Sequence, residues 1–285
     1  MRVAFLGPPG TFSEEAVRRS GFGGEAFDPI PCDSIPEAIE AVAGGGADRA
    51  MLPFENSIEG SVRPTMDSLL EQAEKVTVAG EYRLPIREAL IAREELETTA
   101  ITEVISHPQP LAQCARFIRE QLPGATVTVA GSTSAAVQQV AGGGPGLAAI
   151  APASAAPLYD CVVLREGIED EPGNLTRFLW IAPAGAEAES PADASGSWKT
   201  TIVFSELGAD HPGALVEALV EFSDRGINLV RIESRPQKRE LGRYLFFIDV
   251  EGQADDELVA EALDGLRSKA ADVRVLGSYP AAVAT

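Results

Sequence analysis

Positive charge is in short supply in this chain of 285 residues: 23 Lys and Arg stand against 43 Asp and Glu, so the formal net charge is -20. Nucleic acids and anionic membrane surfaces would be repelled, and we expect neither as a partner. A small anionic substrate is not excluded, because individual arginines and not the total charge would hold it. Long apolar runs are missing too. No stretch is long enough to span a bilayer, and the apolar part of residues 1–7 is too short for a signal peptide.

Cysteine and histidine are also scarce. The three cysteines, Cys32, Cys114 and Cys161, are widely spaced and odd in number, which predicts reduced thiols and a cytoplasmic location. The two histidines, His107 and His211, are far apart, and no Cys/His spacing suits a structural zinc site. The first Gly/Pro loop lacks the Gly-Lys-Ser/Thr ending of a phosphate loop. We therefore expect neither a metal nor an organic cofactor.

Two structural patterns follow one another along the chain. In residues 1–182, short apolar runs alternate with amphipathic helices whose starts carry capping boxes, as at 11–14 and 34–37, and this alternation is typical of a mostly parallel α/β domain. Residues 183–197 are rich in Ala, Gly, Glu, Ser and Pro, which predicts a flexible linker. Residues 198–280 have the order β-α-β-β-α-β of a ferredoxin-like domain.

Polar side chains cluster where predicted strands end, a position at which α/β proteins commonly hold ligands. A Gly/Pro loop at 7–10 leads into a helix start at Thr11 and Ser13, whose backbone N–H groups can receive an anion. Taken singly, each such segment is more simply a plain turn or an edge strand, and His107 is more simply a packing or capping residue. Three further groups share this position: Glu55, Asn56 and Ser57; Ser106 and Gln113; and Asn174, Thr176, Arg177 and Phe178.

Taken together, six segments resemble the signatures of a known family. Four are similar to those of prephenate dehydratase: Gly7–Ser13 (GPPGTFS), Pro53–Gly60 (PFENSIEG), Ser106–Pro110 (SHPQP) and Asn174–Phe178 (NLTRF). Two resemble the signatures of its regulatory ACT domain: Gly213–Leu215 (GAL) and Glu233–Pro236 (ESRP). Each segment alone is weak, but all six occur in the family's order and cover nearly the whole chain. Because the resemblance starts at the dehydratase domain, we expect no fused chorismate mutase.

The resemblance implies an α/β fold with a two-lobed catalytic domain like type II periplasmic binding proteins, followed by a ferredoxin-like (ACT) α+β domain. We expect the chain to cross between the lobes near 76–82 and to return near 160–170. The implied reaction converts prephenate to phenylpyruvate, carbon dioxide and water in phenylalanine biosynthesis, without a cofactor. Inhibition by L-phenylalanine and assembly through the ACT domain, as a homodimer or a homotetramer, are implied as well.

The family resemblance also implies roles for individual residues. Thr176 is the catalytic candidate; a hydroxyl is a weak acid, so it either donates a hydrogen bond to the leaving hydroxyl or relays a proton. Arg177 either holds a substrate carboxylate bidentately or flanks a strand on the surface. Glu55 would repel a dianionic substrate unless it is protonated or faces the departing hydroxyl. The substrate-binding set comprises Thr11, Ser13, Glu55, Asn56, Ser57, Ser106, Gln113, Asn174, Arg177 and Phe178.

An allosteric phenylalanine site is expected in the C-terminal domain. Gly213 lies at a helix start, where N–H groups can receive the carboxylate of an amino acid, while Asn228 offers an acceptor for its ammonium group. Residues 233–236 are expected to come from a neighbouring subunit. The implied set comprises Gly213, Ala214, Leu215, Asn228, Glu233, Ser234 and Arg235.

Three alternative functions stay open at this point. The same chemistry on arogenate differs only by an ammonium group on the substrate, and the sequence does not separate the two. A second alternative is a sensor that binds an aromatic acid without turning it over. A third is a regulatory module whose activity lies in a partner. Thr176 favours an enzyme, because a pure binding protein needs no hydroxyl beside a leaving group.

Overall fold

The computed structural model describes residues 1–22, 26–191, 194–207, 211–237 and 243–283. The strands within these residues are β1 (Arg2–Leu6), β2 (Asp28–Cys32), β3 (Arg49–Asn56), β4 (Gly60–Ser61), β5 (Val76–Pro85), β6 (Ala89–Ala92), β7 (Glu103–Ser106), β8 (Thr126–Val129), β9 (Leu147–Ala151), β10 (Val162–Glu166), β11 (Leu175–Pro183), β12 (Ala194–Leu207), β13 (Leu229–Pro236), β14 (Tyr244–Glu251) and β15 (Ala270–Ala282). The α-helices are α1 (Phe12–Ser20), α2 (Ile35–Ala43), α3 (Arg63–Glu71), α4 (Pro108–Gln113), α5 (Ala115–Gln121), α6 (Thr133–Gly142), α7 (Ala214–Ser223) and α8 (Glu257–Lys269). None of the described helices is long and apolar enough to cross a membrane.

The first lobe is built on a sheet with the strand order β2-β1-β3-β11-β5, with the short β4 beside β3. Helix α2 shows why these elements form: the Ser34 hydroxyl accepts a hydrogen bond from the Glu37 N–H, and an apolar stripe faces the sheet. The capping box expected at Thr11 is not formed. The Thr11 hydroxyl donates to the Leu6 carbonyl at 2.9 Å, and the Glu14 carboxylate accepts from the Gly10 N–H at 2.7 Å.

The second lobe is built on a sheet with the order β10-β6-β9-β7-β8. Two connections join the lobes: the chain leaves β5 at Pro85 and enters β6 at Ala89, then returns between Glu166 and Leu175. The first crossing therefore lies later than the expected 76–82. Residues Val76–Pro85 form one continuous strand that pairs with β11, and its polar residue Glu81 is buried in mid-strand.

The C-terminal domain is a four-stranded antiparallel sheet, β13-β14-β12-β15, with α7 and α8 packed on one face. It has the β-α-β-β-α-β order expected from the sequence. Its first strand already begins at Ala194, within the segment expected to be a linker. Part of that segment is tied to the first lobe, because the Glu189 N–H donates to the Ala79 carbonyl at 2.7 Å.

The free face of the C-terminal sheet packs against the first lobe. Leu179 and Ile181 of β11 share an apolar cluster with Val203, Phe247 and Tyr279. The backbones also approach closely, since a Cβ atom added at Gly277 would lie 2.1 Å from the Val78 carbonyl oxygen. Strand β11 is therefore covered by the C-terminal domain on one face, which positions its other face for the site described next.

Candidate active site

Strand β11 points its consecutive side chains to opposite faces of the first sheet, as any strand does. Thr176 pairs with Asn56 of β3 on one side and with Leu84 of β5 on the other. Phe178 is buried with Leu84 and Trp180 in the cluster on that face, whereas Arg177 lies on the face covered by the C-terminal domain. Thr176 and Arg177, which are adjacent in sequence, therefore belong to two different environments.

The hydroxyl of Thr176 is held by the side chain of Asn56. The Asn56 Nδ2 atom donates to Thr176 Oγ1 at 2.9 Å and to Asn174 Oδ1 at 2.7 Å. Its Oδ1 atom accepts from the N–H groups of Ile58 and Glu59, both at 2.9 Å, which fixes the orientation of the amide. Because the threonine oxygen accepts this bond and no described residue accepts its proton, Thr176 is left as a hydrogen-bond donor.

The same network bridges the two lobes. Asn174 Nδ2 donates to Oε1 of Gln113 at 3.2 Å, and Gln113 lies at the end of α4 in the second lobe. The Ser57 hydroxyl accepts from the Leu175 N–H at 2.9 Å and lies 3.4 Å from Asn174 Oδ1. The Gln113 Nε2 atom is buried and has no hydrogen-bond partner among the described residues. An acceptor on a bound molecule would satisfy this donor.

The Gly/Pro loop of the first lobe touches the second lobe beside helix α6. A Cβ atom added at Gly10, whose φ is +84°, would lie 3.0 Å from the hydroxyl oxygen of Ser134. Ser134 is fully buried in the first turn of α6, and its hydroxyl has no partner among the described residues. Sequence reasoning missed this residue, although its place in the polar helix start 132–134 was a usable signal.

Three other residues of the expected substrate-binding set have structural roles within their own lobes. Thr11 bonds the Leu6 carbonyl, as described, and Ser13 is buried in the first turn of α1. Ser106 is fully buried, and its hydroxyl donates to the Ile150 carbonyl at 2.5 Å. This bond joins the end of β7 to β9, so the Ser106 hydroxyl adds a side-chain link between two strands that already pair.

Arg177 lies at the centre of a buried cluster of charges on the opposite face. Its Nη1 atom is 2.5 Å from Asp249 Oδ2 and its Nε atom is 2.6 Å from Glu81 Oε2, while Nη2 donates to the Tyr279 hydroxyl at 2.7 Å. Lys199 adds a second cation, 2.7 Å from Glu81. Burial would raise the pKa of Glu81 and of Asp249, but the neighbouring cations and hydrogen-bond donors, with Arg177 the strongest of them, together outweigh it and hold the pKa of both carboxyls below the usual value.

The placement of Arg177 differs from both possibilities considered from the sequence, because its charge is matched by protein carboxylates and not by a substrate or by solvent. Glu55 also lies on this face: its carboxylate is 3.8 Å from Arg177 and 3.6 Å from Arg231 of the C-terminal domain. The expected like-charge conflict between Glu55 and a dianionic substrate therefore does not arise from this arrangement. Strand alternation explains both corrections, since Glu55 and Arg177 are neighbours of Asn56 and Thr176.

Comparisons with known proteins agree with this architecture. The family model described as prephenate dehydratase matches residues 3–186, and the ACT domain model matches residues 201–268. A prephenate dehydratase of Mycobacterium sp. (strain JLS) is 42% identical over 292 residues, which cover 99% of this chain and 90% of the relative. The chain belongs to the prephenate dehydratase family. The resemblance seen in its six sequence segments is thereby confirmed, and the chain is a decarboxylating lyase with a C-terminal ACT domain.

Solved structures of the family support the same conclusion. A crystal structure of prephenate dehydratase from Arthrobacter aurescens in complex with L-Phe has a TM-score of 0.87 and 40% identity, covering 100% of this chain and 93% of that one. GqqA, described as a novel type of quorum quenching acylase, has a TM-score of 0.86 and 30% identity, covering 99% of this chain and 98% of its own. The fold is thus shared by proteins with different described activities.

The ACT domain contains a pocket of about 280 Å³ at the start of α7. Gly213 caps this helix with a φ of +99°, and a Cβ atom added there would meet nothing within 4 Å. The expected residues Gly213, Ala214 and Leu215 line the pocket together with others, among them Glu206 and Phe246. Asn228 is not among the residues that line this pocket. Its backbone carbonyl accepts a hydrogen bond from the Glu251 N–H at 3.0 Å.

Strand β13 divides the remaining expected allosteric residues between its two faces. Glu233 accepts from the Ser61 hydroxyl at 3.0 Å, and Arg235 donates to Asp67 at 2.6 Å, so both contact the catalytic domain of their own chain. Ser234 pairs with Phe246, a pocket-lining residue. Of the motif 233–236, the structure therefore brings Ser234 towards the pocket and directs Glu233 and Arg235 away from it.

A buried acid lies at the connection between the lobes. Glu88 is 1% exposed; its own N–H donates to the Glu169 carboxylate at 3.0 Å, and its Oε2 atom has no partner among the described residues. Burial, assisted by the charges of Glu169 and Glu15, raises the pKa of Glu88 to about 8. The side chain is therefore neutral in much of the physiological range. The described residues contain no group of three or more His, Cys, Asp or Glu placed to hold a metal ion.

Proposed function

We propose that the family reaction takes place in the cleft between the two lobes and that Thr176 donates a hydrogen bond to the hydroxyl that leaves the prephenate ring. The observation that carries this proposal is the bond from Asn56 Nδ2 to Thr176 Oγ1 at 2.9 Å. It occupies the threonine oxygen as an acceptor and leaves the threonine proton for another partner. Binding and catalysis then rest on the chain's own residues, without a cofactor.

The chemistry needs little more than correct placement of one donor. When the ring carboxylate leaves as carbon dioxide, the electron pair of its carbon–carbon bond enters the ring, and the ring becomes aromatic as the carbon–oxygen bond of the hydroxyl breaks. The departing oxygen carries developing negative charge, which a preorganised donor stabilises. Thr176 supplies that donor, and the proton that completes the water molecule comes ultimately from solvent. Because aromatisation of the ring favours departure of the hydroxyl, a strongly acidic proton donor is not required.

The substrate's two carboxylates require hydrogen-bond donors. We propose that the Gln113 Nε2 atom and the Ser134 hydroxyl, both buried without described partners, bind them from the second lobe. Asn174 and Ser57 orient the network from the first lobe, while Phe178 forms part of the apolar wall beneath Thr176. Arogenate carries an additional ammonium group, which would need an acceptor; the Gln113 Nε2 atom, which has no partner among the described residues, can only donate, so prephenate is the better match.

The ACT domain adds regulation. We propose that L-phenylalanine, which the Arthrobacter aurescens relative holds in its crystal structure, binds in the pocket at Gly213. The carboxylate of the amino acid would meet the N–H groups at the start of α7. Exposed apolar side chains of the same domain, Val216, Val220, Val230, Ile232 and Tyr244, favour pairing of two chains through this domain. The three free cysteines, all buried, are consistent with the cytoplasmic location proposed for the enzyme.

The acylase activity described for GqqA is a second candidate that the geometry does not favour. Acyl transfer by a side chain requires a nucleophile activated by a general base. The partner of the Thr176 hydroxyl is an amide, which is not a base, and burial raises the pKa of all three cysteine thiols, which disfavours their reactive form.

A direct assay tests the proposed function. Purified protein is incubated with prephenate, and phenylpyruvate is measured by its absorbance in alkali, with arogenate and an N-acyl amide as parallel substrates. Turnover of prephenate with much slower turnover of the other two is expected. Preference for arogenate would identify the amino-acid substrate instead, and hydrolysis of the amide alone would replace the proposal by the acylase. Binding of prephenate without turnover would indicate a sensor.

A further inference from the structure

The charged cluster around Arg177 joins strand β11 to three further strands from the two domains. Glu81 belongs to β5 of the catalytic domain, whereas Asp249 and Tyr279 belong to β14 and β15 of the ACT domain. Arg177 is 8% exposed, and Glu81 and Asp249 are fully buried. An uncompensated charge at such a depth is costly, so removal of one partner leaves the others strongly destabilised. If the ACT sheet moves, Arg177 must therefore either move with Asp249 and Tyr279 or break its contacts with them.

Arg177 is also the residue that follows Thr176. The strand is irregular at this point: Arg177 pairs with Glu55, but Phe178 already pairs with Pro53, so Phe54 is an extra residue on β3. The guanidinium group of Arg177 lies over the Phe54 ring, 5.2 Å from its centroid. A displaced Arg177 would thus disturb both strands of the pair that holds Thr176 against Asn56.

A second arginine, Arg231 of the ACT domain, contacts the same bulge. The guanidinium group of Arg231 is 4.6 Å from the centroid of the Phe54 ring, and its Nη2 atom donates to the Ser61 hydroxyl at 2.7 Å. Phe54 and Ser61 flank the hairpin that carries Asn56. A cavity of about 600 Å³, lined by Glu55, Arg177 and Lys199 among others, lies between the domains here. The polar part of the domain contact therefore has open space beside it, next to the apolar packing of Leu179 and Ile181 described above.

We infer that Arg177 is a positioning residue: it transmits the position of the ACT domain to the Thr176 hydroxyl, with Arg231 bracing the Phe54 bulge. The inference rests on the proposed role of Thr176 and extends it, because it assigns the regulatory link to the residue next to the donor. Movement of the ACT sheet on binding phenylalanine would pull Arg177 through Asp249 and Tyr279, and Thr176 would leave its productive position. No substrate contact by Arg177 is involved.

Tyr279→Phe tests this link gently, because it removes only the hydroxyl that accepts from Arg177 and retains the ring; Asp249→Asn removes the buried charge. A small misplacement of the donor should lower kcat about tenfold while KM for prephenate changes less than about twofold. The concentration of phenylalanine needed for half inhibition should rise, while the dissociation constant measured by calorimetry stays as in wild type. Glu189→Gln, which breaks the 2.5 Å pair with Arg49 away from Thr176, serves as the control and should behave as wild type.

A double-mutant comparison separates positioning from general stability. In single-turnover measurements with Thr176→Ala protein, adding Tyr279→Phe should cause no further loss, because there is no hydroxyl left to position. An equal loss with and without the Thr176 hydroxyl would overturn the inference, as would unchanged kcat and inhibition in both ACT-domain variants. Absence of dehydratase activity in the wild-type protein is a different result and would overturn the proposed function itself.

Discussion

Asn56 donates a hydrogen bond from its side-chain nitrogen to the hydroxyl oxygen of Thr176 across 2.9 Å, and its own oxygen is fixed by two backbone N–H groups. The direction of this bond decides the chemistry that Thr176 can perform. A hydroxyl that accepts from an amide keeps its proton for a second partner, whereas a hydroxyl that donates to a base becomes a nucleophile. The arrangement therefore favours donation to a leaving group.

The Thr176 hydroxyl is expected to act chiefly in the transition state. Thr176→Ala should lower kcat by roughly 10²–10⁴-fold, the range for one lost proton or hydrogen-bond donor, whereas KM for prephenate should change much less. Thr176→Ser keeps the hydroxyl and should retain most of the activity. Steady-state phenylpyruvate formation measures both. An alanine variant with kcat close to wild type would show that the donor is another group.

Asn56→Asp reverses the bond to Thr176 without changing the shape of the side chain. The carboxylate would accept the threonine proton and would also face Asn174 Oδ1, which now receives a bond from Asn56 at 2.7 Å. We expect kcat to fall by at least about 10²-fold, as when a preorganised donor is lost. Circular dichroism and thermal unfolding check that the fold is retained. Activity that persists in a folded Asn56→Asp protein would contradict the assigned bond direction.

The sequence was sufficient for the alternation of strands and helices and for most of the segments that meet at the site, because capping residues, strand ends and motifs are local signals; strand β2, which contains two prolines, was not predicted. It also contained an unused signal at Arg177: neighbours in a strand point to opposite faces of the sheet, so Thr176 and Arg177 have different surroundings. The partners of Arg177 were beyond reach, since Asp249 lies 72 residues away in sequence and no local pattern encodes that distance. No local pattern pairs Glu81 with Arg177 either. The charge of Glu81 interrupts an apolar run, although that run forms the single strand β5.

Glu88 should make stability depend on pH. Its pKa is about 8 in the folded protein and has the ordinary value of 4.5 in the unfolded chain. The folded state thus binds the extra proton between these values, and the free energy of unfolding falls as pH rises. The stabilisation that comes from the extra proton on Glu88 is complete below about pH 4.5 and is lost as the pH rises through about 8. Above that pH, Glu88 no longer makes the free energy of unfolding change with pH. Urea unfolding at several pH values measures the trend.

Glu88→Gln provides the matched test, because it keeps the shape and removes the ionisation. Relative to wild type, this variant should gain roughly 1–3 kcal/mol in unfolding free energy at pH 9 and little at pH 5, after allowance for relaxation around the buried charge. Glu171→Gln, at an exposed position four residues before the start of β11, should show no such difference. Parallel pH profiles for wild type and Glu88→Gln would mean that another group is responsible.

Gly213 offers a way to separate regulation from catalysis. The residue has a φ of +99°, so any side chain is strained there, but a Cβ atom would meet nothing within 4 Å and would project into open space at the start of α7. Gly213→Val should fill the pocket in which the carboxylate of phenylalanine is proposed to bind. We expect full dehydratase activity with at least about a tenfold weaker response to phenylalanine, which corresponds to about 1.4 kcal/mol of lost binding free energy.

Backbone strain is the competing cause of such a result, and Gly213→Ala separates the two. Alanine at this φ also costs about 1–2 kcal/mol of folding free energy, yet it adds only one methyl group to the pocket. Calorimetry of both variants with L-phenylalanine, together with their inhibition curves, distinguishes strain from filling. If both lose inhibition equally, the conformation of the helix start is what matters. If the valine variant binds and responds to phenylalanine like wild type, the effector lies elsewhere than at α7.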